Sequence, residues 1–435
     1  MNSFDRYFKI TERGSTVGTE IRSGVATFLT MAYILFVNPQ VLAKAGMPAA
    51  DVASATAIAS AIATLVMGLY ANYPFALAPG MGLNAFFTYS VVLGMGVSYR
   101  VALAAVFVEG ILFLMLAFGG IRTAVINAIP PSLKVAVMCG IGLFLAIIGF
   151  ENAGIIVGSP DTLVQLGDLS DPRLILSLAG LVLIGILISR GVLGGVLIGI
   201  GAVTAVAWMT GAAPPPEGIL SFPRLPQQTI LAFDLPDLLS LQMVTVVLAF
   251  LFVDFFDTAG TLVGVGRLGG FLNERGELPG AGRAFTADAL GTVAGAVLGT
   301  STVTTFIESA TGIEEGGRTG LTAAVVAVLF ILAMFFTPVF AAIPAAATAP
   351  ALIAVGALMM QGATDINWKR FDEALPAFLT IAAMPFTYSI ANGIVIGIVT
   401  YVLIKLLSGR ARETNPILLV LAVLLLVYYG VVRPG

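Results

Sequence analysis

The sequence predicts an all-α polytopic membrane protein of about fourteen transmembrane helices, built as a seven-plus-seven inverted repeat. Three observations carry this. Apolar residues make up 58% of the 435 and charged residues only 10%, with a mean hydropathy of +1.01; a soluble chain needs far more charge to cover its surface. Long apolar runs follow one another with short polar breaks, whereas a transmembrane β-barrel would alternate in segments of about 10 residues. The two halves match in outline, and each has one apolar segment interrupted at a corresponding place.

Taken in order, the spans fall at about 23–43, 53–71, 75–96, 101–119, 122–149, 173–189 and 191–209. After a Pro-rich loop they resume at about 241–265, 282–298, 300–314, 319–337, 340–361, 374–388 and 390–408. The stretches 173–209 and 374–408 each read as two short helices or as one long helix with a break, near Arg190-Gly191 and near Ser389-Asn392-Gly393. The fifth segment of each half has prolines near its start, Pro130-Pro131 in one and Pro338 with Pro344 and Pro350 in the other. A last apolar stretch, about 416–432, exceeds the count and is either an extra span or a segment lying along the interface.

An odd number of spans per half turns the second copy upside down. Charge supports that threading. With Arg6, Lys9, Arg13 and Arg22 in the cytoplasm, Arg122, Arg190, Arg267, Arg275, Arg283, Lys369, Arg370, Lys405, Arg410 and Arg412 fall on the same side. The loops at 150–172 and 210–240 then lie outside and carry mainly Glu and Asp, the positive-inside bias. The expected location is the cell membrane (the inner membrane of a two-membrane cell), multi-pass, with the N-terminus cytoplasmic. The polar start, 1–22, is not expected to be a cleaved leader. Ala43-Lys44-Ala45 mimics a cleavage site, but Asn38-Pro39 and Lys44 are poor flanks.

Several function classes drop out. A net charge of −3 with no basic stripe gives no footprint for nucleic acid. The single cysteine, Cys139, excludes an internal disulfide and any multi-cysteine metal site. Histidine is absent, which removes the commonest proton shuttle and metal ligand and leaves proton chemistry to carboxylates. No cofactor and no metal are expected.

The candidate site lies in the two interruptions. The first half carries Pro74-Phe-Ala-Leu-Ala-Pro79-Gly80-Met-Gly82-Leu-Asn84-Ala-Phe86-Phe87, and the second carries Gly299-Thr-Ser-Thr-Val-Thr-Thr305-Phe-Ile-Glu308-Ser309. Two broken hydrophobic segments in corresponding positions point to a transporter site at the bilayer midplane. An ionisable group there is costly, which suggests function rather than packing. Thr300 to Thr305 reads as an extended piece leading into a half-helix, whose first N–H groups can bind a polar ligand. Glu308 beside them can accept two N–H donors from a planar ligand, or can satisfy the helix start itself. Thr305 joins the candidate substrate contacts. Asn84 offers a donor and an acceptor to a heterocycle edge, or else caps a turn. Phe86 and Phe87 either stack on a flat ligand or pack between helices.

Asp254 and Asp257 sit three apart in Leu248-Ala-Phe-Leu-Phe-Val-Asp254-Phe-Phe-Asp257-Thr-Ala-Gly260-Thr261, on roughly one helix face. Both must face the protein interior or water, and burial of a carboxyl group favours its protonated form. Either could instead brace a neighbouring broken helix. Glu109, Lys134, Glu151 and Asp288 read as structural pairs across helices. Gly264-Val-Gly266-Arg-Leu-Gly269 fits G-x-G-x-x-G but follows a membrane helix and not a strand, so it is a chance match.

Four motifs in order resemble the AzgA-like purine permeases of the nucleobase–cation symporter-2 family, also called nucleobase–ascorbate transporters. They are Thr27-Phe-Leu-Thr-Met-Ala-Tyr-Ile-Leu-Phe-Val-Asn-Pro39, Ala78-Pro-Gly-Met-Gly-Leu-Asn-Ala-Phe-Phe87, Asp254-Phe-Phe-Asp-Thr-Ala-Gly-Thr261 and Thr304-Thr-Phe-Ile-Glu-Ser309. The resemblance covers essentially the whole chain. It implies a core domain of helices 1–4 and 8–11 (23–120 and 241–337) and a gate domain of helices 5–7 and 12–14 (121–210 and 338–409). The cytoplasmic segment 1–22, an extracytoplasmic loop 211–240 and a C-terminal apolar segment 410–435 complete the chain. The resemblance further implies two short strands, in the third and tenth segments, meeting near the midplane around the substrate. Adenine, guanine or hypoxanthine would enter with a proton as the core moves against the gate by an elevator or rocking motion. The family's eighth-helix acidic ligand falls on Asp257, its tenth-segment glutamate on Glu308 and its third-segment asparagine on Asn84. Proton coupling would rest on Asp257, Glu308 and Asp254. Uracil-type members carry histidine where this chain has Thr261, so that proton route is closed. Members are often homodimers through the gate domain.

Two other functions compete. An anion transporter of the same fold should lack acidic ligands, which disfavours it here. An intramembrane aspartyl-type enzyme would need two aspartates from separate helices facing each other, for which Asp257 and Asp288 are the available pair.

Overall fold

The computed structural model describes residues 3–118, 129–274 and 277–431. The start of the fifth expected span (122–128), Arg122 and Arg275 lie outside the described residues. The chain is mostly helical. After the short α1 (Ser3–Phe8), the first half runs through α2 (Val17–Met31), α3 (Ile34–Ala43), α4 (Ala49–Val66), strand β1 (Leu77–Pro79), α5 (Met81–Ala85), α6 (Tyr99–Phe118) and α7 (Pro131–Asn152). A hairpin of β2 (Ile156–Ser159) and β3 (Leu163–Leu166) precedes α8 (Pro172–Ser189) and α9 (Gly195–Met209). The second half holds α10 (Leu241–Leu268), α11 (Ala281–Leu298), β4 (Val303–Thr305), α12 (Ser309–Glu314), α13 (Gly320–Ala333), α14 (Thr337–Ala341), α15 (Ala345–Met359), α16 (Phe371–Phe386), α17 (Ile390–Leu407) and α18 (Pro416–Val431). Among the described residues, nine helices are long and apolar enough to cross a membrane, with two shorter apolar ones at Met81–Leu93 and Gly195–Met209.

Local chemistry sets the boundaries. Pro131 opens α7, where its missing N–H costs nothing. Pro344 precedes α15 in the corresponding position, while Pro338 falls in the separate turn α14. Both ambiguous stretches resolve as two helices. Gly191 and Gly194, at φ 66° and 68°, turn the chain between α8 and α9. Ser389 caps α17 by accepting from the Asn392 N–H at 3.3 Å. The G-x-G-x-x-G match lies within and at the end of α10, as expected for chance.

Two expectations change. The first long helix starts at Val17 and not near 23, because Glu20 is buried and caps another helix. Its carboxylate accepts from the N–H of Arg318 (3.0 Å), the N–H of Thr319 (3.2 Å) and the Thr322 hydroxyl (2.6 Å) at the start of α13. The β2–β3 hairpin was not anticipated, and brings the strands among the described residues to four. The last apolar stretch is a helix, α18, packed on α17.

The helices group by packing. α7 lies against α15 and α16, and α16 against α17. Separately, α11 packs on α4 and α6, and α13 on α2 and α4. In that second group the backbones of Gly68 and Gly320 touch, so that a Cβ on Gly320 would overlap the Gly68 carbonyl. The groups meet where α5 and α10 lie on α7. There a Cβ on Gly82 would overlap Ile141.

Candidate functional site

The two interruptions cross each other. β1 pairs antiparallel with β4, Leu77 opposite Thr305, Ala78 opposite Thr304 and Pro79 opposite Val303. Extended backbone among apolar helices must satisfy every N–H and C=O from within the protein. It does so with hydroxyls and with the opposite strand. The Leu77 N–H donates to Thr64 Oγ1 at 2.9 Å, the Ala76 N–H to Ser309 Oγ at 2.9 Å, and the Gly80 N–H to the Thr302 carbonyl at 3.0 Å. The Thr/Ser run leading through β4 ties three neighbouring helices to the crossing. Thr300 accepts from the Asn38 amide (2.9 Å), Thr304 shares a hydrogen bond with Thr258 (2.8 Å), and Thr305 donates to Asp288 (3.0 Å).

Beyond the strands the chain turns into half-helices, one opening at Gly80–Met81 and the other at Glu308–Ser309. Asp257 of α10 sits between them. A Cβ on Gly80 would press on Thr304 and come within 3.7 Å of Asp257 Oδ2, and the Asp257 and Glu308 charges lie close enough to interact. Both side chains are half-buried, whereas Asp254, Asp288 and Glu109 are fully buried. The structure therefore brings together Asp257, Glu308 and two half-helix starts: two partly accessible acceptors beside N–H groups, in an apolar surround.

Tyr33, in the break between α2 and α3, donates its hydroxyl to Glu308 Oε1 at 2.7 Å. It was not singled out from the sequence, although it lies inside the first motif. Asn38, in the same motif, bonds Thr56 at 2.8 Å as well as Thr300.

The other expected residues sit deeper. The Asn84 amide is fully buried, with its oxygen accepting from the Ser301 hydroxyl and its nitrogen directed to the Pro79 carbonyl at 3.4 Å. Phe86 and Phe87 are buried, with ring centroids 4.9 and 6.4 Å from that of Phe250. Thr305 spends its hydroxyl on Asp288. Asp254 faces Glu109 of α6. Asp288 bonds Thr258 and Thr305, and Glu151 accepts from the Tyr388 hydroxyl at 2.6 Å, so both are held across helices.

This architecture and sequence have relatives. A family model described as "Permease family" (xanthine/uracil permeases) matches residues 18–396. The chain is 47% identical to the guanine/hypoxanthine permease PbuG of Bacillus subtilis, over 97% of this chain and 98% of that protein. It is 41% identical to the adenine permease AdeP of Escherichia coli, over 97% and 94%. The fold is that of the transmembrane domain of a cyanobacterium bicarbonate transporter, BicA, with a TM-score of 0.66 at 17% identity, covering 86% of this chain and 97% of that one. With its motifs, its crossed half-helices and these matches, the chain belongs to the xanthine/uracil permease family, the nucleobase–cation symporter-2 transporters, and is a multi-pass membrane permease and not an enzyme.

Proposed function

We propose that this permease imports purine nucleobases, with adenine, guanine and hypoxanthine as the substrate class, by proton symport across the cell membrane, its N-terminus in the cytoplasm. The observation that carries this is the pair of half-buried carboxylates, Asp257 and Glu308, set at the crossing of two half-helices. A purine presents N–H donors and ring-nitrogen acceptors along its edges. Carboxylates accept from the former, and helix-start N–H groups donate to the latter. The names of PbuG and AdeP supply the substrate class. An anion would meet two acidic groups here, which disfavours the anion alternative.

Within this proposal Glu308, braced by Tyr33, and Asp257 contact the base. Asn84 holds the crossing through Ser301 and reaches the base by exchanging that bond. Phe86, Phe87 and Thr305 shape the wall behind them. Asp257, Glu308 and Asp254 carry the proton coupling, the core moves against the gate, and the protein pairs through the gate as a homodimer. The test is uptake of radiolabelled hypoxanthine into proteoliposomes, competed by unlabelled adenine, guanine, uracil and bicarbonate. Purines should compete, and uracil and bicarbonate should not. Competition by bicarbonate alone would reverse the assignment.

A further inference from the structure

Behind β4 lies a carboxyl pair that the substrate site does not use. Glu109 of α6 and Asp254 of α10 are both 0% exposed, and their carboxyl groups lie within hydrogen-bonding reach of each other. Among the described residues, both oxygens of Glu109 and Oδ1 of Asp254 receive no hydrogen bond from an N–H or O–H group. The hydroxyl nearest Asp254 Oδ2 is Thr292 Oγ1, at 3.5 Å, and its single proton is directed to the Val303 carbonyl at 2.9 Å.

Asp288 of α11 provides the contrast. It accepts from Thr258 at 2.9 Å and from Thr305 at 3.0 Å, so each of its oxygens has a hydroxyl donor. The other titratable groups facing the pair are Asp288 and Asp257, both acids. Among the described residues, no Lys or Arg forms an ion pair with any of these four. The helices close tightly around the pair: a Cβ on Gly110 would come within 3.0 Å of Thr292 and Val293 side chains. Among the described residues, no group of three or more acidic, Cys or His side chains is placed to hold a metal ion.

Two carboxylates side by side in a low-dielectric interior, with one long contact to a hydroxyl and no cation, repel strongly and lose their hydration. One proton removes both problems. It turns one group into a donor and the contact into a charge-assisted O–H···O⁻ bond. We propose that Glu109 and Asp254 form a proton-binding site, a carboxyl–carboxylate pair sharing one proton, separate from the Asp257–Glu308 substrate site. With its proton on the Val303 carbonyl, the Thr292 hydroxyl can accept from a protonated Asp254, and Val303 pairs with Pro79, next to the Gly80 turn. Loading of the pair is thereby linked to the geometry of the crossing. Its role in coupling rests on the symporter assignment, whereas the shared proton rests on the burial of both groups and their unpartnered oxygens.

Infrared difference spectroscopy of the full-length protein in lipid bilayers, titrated through neutral pH in H₂O and D₂O, tests it without purine. Wild type and Asp257→Asn should show a deuterium-sensitive protonated-carboxyl C=O band that is lost in Glu109→Gln and lost again in Asp254→Asn. The two variants probe the pair from opposite helices, so a folding defect in one leaves the other to decide. Persistence of the band in a variant that elutes as a folded species would overturn the proposal. So would a wild-type band abolished when sodium chloride replaces potassium chloride, because the pair would then hold sodium. Hypoxanthine binding on the same wild-type sample separates the two claims: its absence would count against the symporter assignment, while the band decides the pair.

Discussion

Glu308 carries the sharpest expectation at the residue scale. Its Oε1 is taken by Tyr33, which leaves Oε2 for a ligand. Glu308→Gln keeps an acceptor for Tyr33 and turns an NH₂ toward the base, donor against donor. A mismatched buried hydrogen bond costs about 1–3 kcal/mol, or about 5- to 150-fold in affinity. Purine binding by the purified variant should weaken within that range while the protein still reaches the membrane, and unchanged affinity would remove Glu308 from the site. Tyr33→Phe deletes only the brace, so its cost should be smaller, about 0.5–1.5 kcal/mol. Its effect on binding should also largely vanish in the Glu308→Gln background, as expected for two residues acting through one contact. For Asn84 the informative quantity is ranking. If its amide reaches the base, Asn84→Ala alters the order of preference among adenine, guanine and hypoxanthine in competition assays. If it serves only the Ser301 contact, uptake falls uniformly and the order stays.

Helix pairs and strands are where sequence and structure can be compared most directly. Both interruptions were legible because Pro79-Gly80 and the Thr/Ser run cannot continue a helix among apolar neighbours without a reason. Four of the hydroxyls proved to be that reason: Thr300, Ser301, Thr304 and Thr305 are each tied to a different helix. The β2–β3 hairpin was not legible, since its short β-branched run sits in a loop already assigned by its charges. Nor was the capping by Glu20, because its partners at 318–322 are almost three hundred residues away in sequence. Tyr33 and the Glu109–Asp254 contact were hidden for the same reason: periodicity gives the face of a helix, not the residue opposite it. Close packing yields a stability prediction. A Cβ on Gly320 would overlap the Gly68 backbone, which has no flexible end to yield. Gly320→Ala should therefore destabilise by about 1–3 kcal/mol, seen as a lower unfolding temperature in detergent, and an unchanged temperature would show that α13 and the turn that follows α4 can separate there without cost.

For the whole molecule, the proposal is a purine importer driven by the proton gradient, with carboxylates in place of histidine. Symport requires that proton and purine favour each other's binding, and that linkage is reciprocal. Among the carboxylates at the crossing, Asp257 is the one that a Gly80 Cβ would approach and that Glu308 faces. Its neutral form can donate to the base, and its charged form cannot. The most direct measurement is accumulation of radiolabelled hypoxanthine by proteoliposomes under an inward proton gradient. Wild type should concentrate the purine, faster with a more acidic exterior, and lose it on adding a protonophore. Asp257→Asn should bind the purine yet fail to concentrate it. Accumulation by wild type that ignores the protonophore, or gradient-driven accumulation by Asp257→Asn, would contradict the account.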